Sequence, residues 1–307
     1  EQDNITVLCD ARAVGVVVCD KKIENIKARV NGVDAAFTPA TVIDCSGKSV
    51  ISQLAGLGSI SAHHYQAATQ VFRLNSVTST SEFSLNMAIK KAMTTLMGRK
   101  KWPESFKAMS VVPGSLRENT VDIKLTMPEV ITDDALETGS LTTKAIAYIK
   151  EVFPAIKEQV ESLHNAAVEI VFPEPGVRVL KRSRGFYTLT EEDVVKCRKD
   201  NHGVAAGVWP IEYWESDGNV DMVYFDHEDG YLIPAECLRS DQVDNLFFAG
   251  KNISATDRAI ASARVMGTCI QTGYAAGKLA ACTGKKETDE MVNQLHRELK
   301  VTDREYI

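Results

Sequence analysis

The residues best suited to chemistry lie between Asn245 and Ala281. The chain reads Asn-Leu-Phe-Phe-Ala-Gly-Lys-Asn, crosses a polar loop, and enters a run of small residues. An apolar strand ending in Gly250, with a helix opening near Gly267, Thr268 and Cys269, sets free backbone N–H groups and a positive dipole end beside a sharp turn. That combination suits an electron-rich ligand atom. Gly273, Gly277 and Ala281 fall four apart, as do Ala276 and Ala280, so this face admits a closely packed backbone. A tightly packed core helix after a glycine turn has the same pattern, and periodicity does not separate the two.

A second candidate is Thr41-Val-Ile-Asp-Cys-Ser-Gly47, a short strand closing on Ser46 and Gly47. Glycine there lets backbone approach a cofactor, although an ordinary strand and turn looks alike. Arg178, Lys181 and Arg182 concentrate positive charge. Arginine offers a bidentate fork to a carboxylate substrate or a flavin anion, and a solvated basic face is the competing reading.

Other chemistries find little support. His63 and His64 are adjacent, which is not a metal-ligand spacing, and His164, His202 and His227 stand alone. There is no Gly-x-Ser-x-Gly elbow for nucleophilic hydrolysis. The 7 cysteines are odd in number and form no Cys-x-x-Cys pair. Free thiols in a reducing, cytoplasmic setting are therefore expected, and no metal site. A net charge of −6 argues against nucleic acid as a partner. No apolar run reaches the roughly 18 residues of a membrane span. The polar opening Glu1-Gln2-Asp3-Asn4 is unlike a signal peptide.

Several elements must position these residues. Strands are predicted at Ile5–Cys9, Ala13–Cys19, Ile23–Val30 and Ala40–Asp44, with a hairpin at Asn31-Gly32 and a short helix over Ser49–Ala55. From Gln66 the texture changes to mixed strands and helices. Strands are predicted at Gln70–Leu74, Thr120–Leu125 and Val168–Phe172. Helices are predicted at Ser81–Gly98, at Thr138–Phe153 ending before Pro154, at Ala155–Leu163, and from Thr190. Near Pro234 the α/β texture returns, with the strand at Asn245–Gly250, the helix at Gly267–Cys282 and an amphipathic helix at Thr288–Leu299. The 307 residues suffice for two domains. The expected division is an incomplete, discontinuous α/β domain over 1–65 and 235–284, an inserted α+β substrate domain over 66–234, and a C-terminal helix over 285–307.

Taken together, the segments resemble the FAD-dependent oxidoreductases with a glutathione-reductase-like flavin domain, in particular their bacterial branch. The resemblance runs along essentially the whole chain. Ile43-Asp-Cys-Ser-Gly47 resembles the second flavin motif, and Gln70–Leu74 the first strand of the substrate domain. Arg178–Thr190 resembles an arginine-rich motif, and Val208–Glu212 and Tyr231–Pro234 two short motifs that follow. Ala249–Gly277 is the closest match. The resemblance implies FAD as cofactor and hydride transfer with a small organic substrate, a carboxylate on it being one of the alternatives that the arginines leave open. It implies that Gly250, Lys251 and Asn252 lie along the pyrophosphate–ribityl part. Gly267, Thr268 and Cys269 then face the isoalloxazine pyrimidine edge, Val14 offers backbone groups to the adenine, and Ser46 and Gly47 line the cofactor. Arg178, Arg182, Asp257 and Arg258 are the candidate catalytic residues.

The chain also departs from the family pattern. Asp257 and Trp214 stand where the family has histidines, and Val179 and Leu180 replace an acid and a serine. The Gly-x-Gly-x-x-Gly fingerprint is absent; Gly56-Leu-Gly58 follows the wrong element. The missing unit amounts to about 30 residues or more, as expected of a fragment, a truncated gene product or one half of a split protein, with an upstream segment or a partner chain supplying the loop as a further alternative. The departures equally allow a non-catalytic, flavoprotein-derived binding protein.

Overall fold

β-Branched and small residues alternating between tight turns build the first elements. Strands β1 (Ala11–Cys19), β2 (Lys22–Val30) and β3 (Val33–Phe37) form an antiparallel meander. Its two turns place Asp20, Lys21, Asn31 and Gly32 at positive φ. The computed structural model describes residues 4–63, 66–130, 138–215, 217–226, 230–282 and 288–302. The predicted opening strand Ile5–Cys9 belongs to no sheet, and Ile5 and Val7 are exposed. Without a neighbour to pack on, β propensity alone does not make a strand. Then follow β4 (Val42–Asp44), α1 (Val50–Leu54) and β5 (Ser59–Ile60).

The chain next enters a second compact unit, His64–Leu180 together with Tyr213–Asp221. Its elements are β6 (Ala67–Asn75), α2 (Glu82–Met97), β7 (Ser110–Val111), β8 (Val121–Val130), α3 (Thr138–Gln159) and β9 (Ala167–Val171). The strands form one antiparallel sheet in the order β7-β8-β6-β9. Alternation on β8 buries Val121, Ile123 and Leu125 in one core with Leu85, Ile89 and Met93 of α2 and Ile149, Val152 and Ile156 of α3. Ser81 caps α2, its Oγ accepting from Ser84 N at 3.2 Å.

The predicted helix break at Pro154 does not occur, because α3 runs through it. An interior proline costs about 3 kcal/mol. Val152, Phe153 and Ile156 are buried on both sides of it, and ending the helix there would release that packing.

The remaining elements belong to the first unit, Glu1–His63, Lys181–Glu212 and Met222–Ile307, apart from the hairpin that carries Tyr213–Asp221. They are β10 (Arg182–Ser183), α4 (Glu191–Val195), β11 (Gly203–Gly207), β12 (Ile211–Trp214), β13 (Val220–Val223), β14 (Tyr231–Pro234), β15 (Leu246–Phe248), α5 (Asp257–Ala263), α6 (Met266–Ala281) and α7 (Thr288–Thr302). The exit from the second unit lies at Leu180 rather than the expected Pro234. The reason is strand pairing: β10 pairs with β5 and β11 with β14, holding Lys181–Glu212 in the first unit. β15 runs parallel to β4, with Asp44 opposite Phe248. Ile23, Val42, Val243, Leu246 and Phe248 form a core cluster at this pair. Among the described residues no helix is long and apolar enough to cross a membrane.

Candidate functional site

Because β4 and β15 are parallel and in register, Cys45-Ser46-Gly47 and Ala249-Gly250-Lys251 leave the sheet at the same end. In open α/β sheets this carboxyl end is where ligands bind. Both loops turn through left-handed glycine, Gly47 at φ 73° and Gly250 at φ 62°. A Cβ on Gly47 would stand 2.8 Å from Lys251 Cε, so the lysine stem crosses directly over this glycine. Gly250 N donates to Thr272 Oγ1 at 3.1 Å, and a Cβ on Gly250 would stand 3.7 Å from Cys269 Sγ. The turn is thereby fixed against the first two turns of α6. On its other side Thr268 Oγ1 reaches the Ala206 carbonyl at 3.4 Å, and Gln271 Oε1 accepts from Ala206 N at 2.9 Å. Gly267 remains exposed at the helix opening, where the first backbone N–H groups have no intrahelical acceptor.

A buried polar clip holds the two loops together. The Asp44 carboxylate accepts from Ser46 N at 2.8 Å, Ile51 N at 3.0 Å and Asn252 Nδ2 at 2.7 Å. Asn252 is fully buried; its Nδ2 also reaches the Asp44 carbonyl, and its Oδ1 accepts from Ser49 N at 3.0 Å. Ser46 Oγ accepts from Val50 N at 3.1 Å. Ser46 and Asn252 therefore shape the loops, and the Asn252 side chain is used up in doing so.

The electrostatics join cations to acids, with the Glu212 charge acting on Arg264 against the effect of burial. Burial holds the Lys251 ammonium below the usual lysine value, and the Arg264 and Lys48 charges push it further down. Burial likewise lowers the Arg264 guanidinium. Burial raises the Cys269 thiol, with Lys251 and Arg264 acting against that rise. Burial raises Cys45 also, followed by the Asp44 charge. Arg264 stands just before α6 and its Nη2 donates to the Glu212 carbonyl at 3.1 Å; the positive end of a helix itself favours a bound or developing negative charge. Lys48 and Arg264 were not among the residues singled out from the sequence. The available signal was a lone arginine interrupting the apolar, small-residue run Ala259–Gly267.

The candidate catalytic residues divide between the units. In the first, Arg182 is fully buried; its Nε donates to the Ala255 carbonyl at 2.7 Å and its Nη2 to Asp257 Oδ1 at 2.5 Å. Asp257 Oδ2 accepts from His63 N at 2.7 Å. Arg258 pairs with Glu191 at 2.7 Å on a half-exposed surface. In the second unit, Arg178 donates to the Ala67 carbonyl and stacks 4.7 Å from the Trp214 ring centroid. Val14 sits at a register shift in β1, 44 % exposed. Lys181 contributes its carbonyl to Ser49 Oγ at 3.4 Å. His64 and His227 lie outside the described residues. Among the described residues no cluster of three or more His, Cys, Asp or Glu could hold a metal ion.

None of the curated proteins compared with the chain matches it. Solved structures similar to it include a geranylgeranyl bacteriochlorophyll reductase-like protein from Thermoplasma acidophilum, at 14 % identity and a TM-score of 0.40, covering 95 % of this chain and 54 % of that one. The flavin-dependent brominase Bmp2 is similar at 12 % identity and a TM-score of 0.45, covering 94 % of this chain and 54 % of that one. The flavin-dependent halogenase CmlS is similar at 13 % identity and a TM-score of 0.44, covering 94 % and 40 %. The chain spans about half the length of the structures it matches. The profile that matches its sequence covers residues 1–299, and the chain belongs to the FAD dependent oxidoreductase family.

Proposed function

We propose that the loops after β4 and β15 and the N-terminus of α6 form the isoalloxazine side of an FAD site. In this reading the oxidoreductase transfers a hydride between a small organic substrate and the flavin. The observation that carries it is the meeting of the Gly47 and Gly250 turns at one end of the parallel β4–β15 pair, with Gly250 N bonded to Thr272 Oγ1 of α6. A cofactor that gains negative charge on reduction fits such a site. Bound FAD would supply a two-electron acceptor. Gly250 and Lys251 would run along its pyrophosphate–ribityl part, and Asn252 would act through the loops it clips. The N–H groups of Gly267 and Thr268, with Cys269, would face the pyrimidine edge. Ser46 and Gly47 would allow close approach, and Val14 would offer backbone groups to the adenine. Arg178 would meet the substrate carboxylate. Arg182, Asp257 and Arg258 serve best as positioning residues, since their ion pairs hold the loop before α5.

The phosphate-cradling loop is not in this sequence, so the site calls for a strand–glycine loop–helix segment supplied from outside these residues. One observation favours that. Among the described strands β4 pairs on one edge only, and α6 exposes Met266, Ile270 and Tyr274 at 84 %, 72 % and 52 %. Side chains added at Gly267, Gly273 and Gly277 would meet nothing within 4 Å. Parallel strands are ordinarily buried on both faces. The competing reading is a non-catalytic flavin-binding protein.

The test is the visible spectrum of the purified protein titrated with FAD, alone and with a strand–GxGxxG–helix polypeptide encoded beside it. A bound-flavin spectrum that Lys251→Met and Arg264→Met weaken supports the site. No bound flavin in either mixture refutes it. Bound flavin that no reductant substrate bleaches leaves the binding protein.

A further inference from the structure

A cavity of about 650 Å³ opens in the first unit at the amino end of the β4–β15 pair, the end opposite the Gly47 and Gly250 turns. Thr41 just before β4, Asn245 just before β15 and Ala281 at the end of α6 line it, together with Lys22, Phe186 and Arg239. The backbone holds the last three in place. Arg239 pairs with Phe247 on the edge of β15 away from β4, and Phe186 N donates to the Arg239 carbonyl at 3.3 Å. Asp244 N donates to the Lys21 carbonyl at 2.8 Å and Ile23 N to Asn245 Oδ1 at 2.8 Å, and these two bonds bracket Lys22. The Arg239 guanidinium lies 5.6 Å from the Phe186 ring centroid, and Phe186 is 61 % exposed.

This wall lacks the partners that a finished surface has. Among the described residues the Arg239 guanidinium donates no hydrogen bond, and neither it nor Lys22 makes an ion pair. Asp244 also lines the cavity and is outside any ion pair among the described residues, so two cations face one acid. A half-buried guanidinium without acceptors has given up water for nothing in return. Its planar fork matches a carboxylate or a phosphate, and Lys22 adds a second positive charge. A flat ring joined to that oxyanion would cover the exposed phenyl of Phe186. The volume lies within the roughly 300–1,000 Å³ usual for small-molecule sites.

We propose that Lys22, Phe186 and Arg239 form a binding site for an aromatic oxyanion, a planar ring carrying a carboxylate or a phosphate. The site is separate from the flavin reading and does not rest on it. Arg239 lies across β15 from the open edge of β4, so a strand added to that edge leaves Arg239 uncovered.

The test is ligand-observed saturation-transfer NMR on the whole chain without added flavin, with benzoate and phenyl phosphate as probes. Both should give saturable signals. Benzamide should bind about tenfold more weakly, since it loses the charge-assisted bonds. Inorganic phosphate should displace benzoate only at about tenfold higher concentration, since it loses the ring contact. Arg239→Gln should weaken both probes about tenfold and Lys22→Gln about threefold. Arg239→Lys, which keeps the charge without the fork, should fall between wild type and Arg239→Gln. Lys22→Gln should leave the urea midpoint unchanged, as expected of a cation with no ion pair to lose.

Equal binding of benzamide and benzoate overturns the proposal, and so does affinity that Arg239→Gln leaves unchanged. Binding lost in Lys251→Met would place the probes at the Gly47 and Gly250 turns and overturns it too. A preference for benzoate or for phenyl phosphate tells carboxylate from phosphate, and either supports the site. Failure here leaves FAD binding untouched, and failure of FAD binding leaves this result standing.

Discussion

Replacing Asn252 by alanine removes the clip between the two loops of the site. The side chain is 0 % exposed and makes four short contacts: 2.7 Å and 2.9 Å to Asp44, 3.3 Å to Ser46 Oγ and 3.0 Å from Ser49 N. Truncation leaves the buried Asp44 carboxylate short of one donor and the Ser49 N–H without its acceptor. Each stranded buried group costs about 1–3 kcal/mol, and the cavity left by the amide adds to that. A loss of about 3–4 kcal/mol is expected for the first unit. With a urea slope of about 2–3 kcal/mol per molar, that shifts its midpoint down by more than about 1 M. The assay is urea unfolding followed by the fluorescence of Trp209, which lies in that unit, in a Trp102→Phe, Trp214→Phe background. The isosteric Asn252→Asp is the sharper variant, because it sets a second carboxylate 2.7 Å from the Asp44 oxygen. Two carboxylates that close cannot both ionise cheaply, so one is held protonated above the usual range. The sign follows: a carboxyl raised in the folded state favours folding at low pH and penalises it as pH rises. Asn252→Asp should therefore approach wild type near pH 4 and fall furthest behind at pH 7. A midpoint for Asn252→Ala within about 0.3 M of wild type, well inside the shift expected from the slope above, refutes the reasoning.

Three further outcomes are expected. Arg182→Met leaves Asp257 facing an apolar side chain where a fully buried partner stood, and should cost about 3–5 kcal/mol by chemical denaturation; a loss under about 1 kcal/mol would mark the pair as dispensable. Gly47→Ala forces a side chain into left-handed backbone and against Lys251 Cε, for a loss of about 2 kcal/mol, of which about half should return when Lys251→Ala removes the contact. Burial depresses the Lys251 amine. Its penalty is therefore complete below the folded value and disappears as pH climbs toward the ordinary lysine value of about 10.4. The stability advantage of Lys251→Met over wild type should accordingly be larger at pH 7 than at pH 10, measured by denaturation at both.

What the sequence made legible was local. The Phe248–Gly250 strand end, the α6 opening and the Ser46-Gly47 turn follow from apolar runs punctuated by glycine, and each is where it was predicted. The pairing that brings the two turns together spans more than two hundred residues, and no periodicity encodes it. Asn252 illustrates the limit: the family resemblance implied contact with the cofactor, and only the fold shows its amide turned onto Asp44. Pro154 misled for the opposite reason, since a local rule was outweighed by burial of Val152, Phe153 and Ile156. The Lys22–Phe186–Arg239 group draws on three separate stretches of chain, and nothing in any one of them singles its members out.

The clip and the cations divide the polar chemistry of the first unit between them. Asp44 ends the strand paired with β15, and its carboxylate is taken up by Ser46 N, Ile51 N and Asn252 Nδ2. The influences that lower Lys251 are burial, Arg264 and Lys48, and the single one that raises it is a cysteine. The loops are thus held by neutral donors around a buried acid, while Lys251 itself is held below its ordinary value by burial and by the Arg264 and Lys48 charges. An anionic ligand placed there restores the lysine toward its ordinary value. Its binding must then take up protons in the pH window where the free protein has begun to lose them. Affinity should fall as pH rises through that window in wild type and stay flat in Lys251→Met. A ligand contacting only the helix terminus would show no such difference.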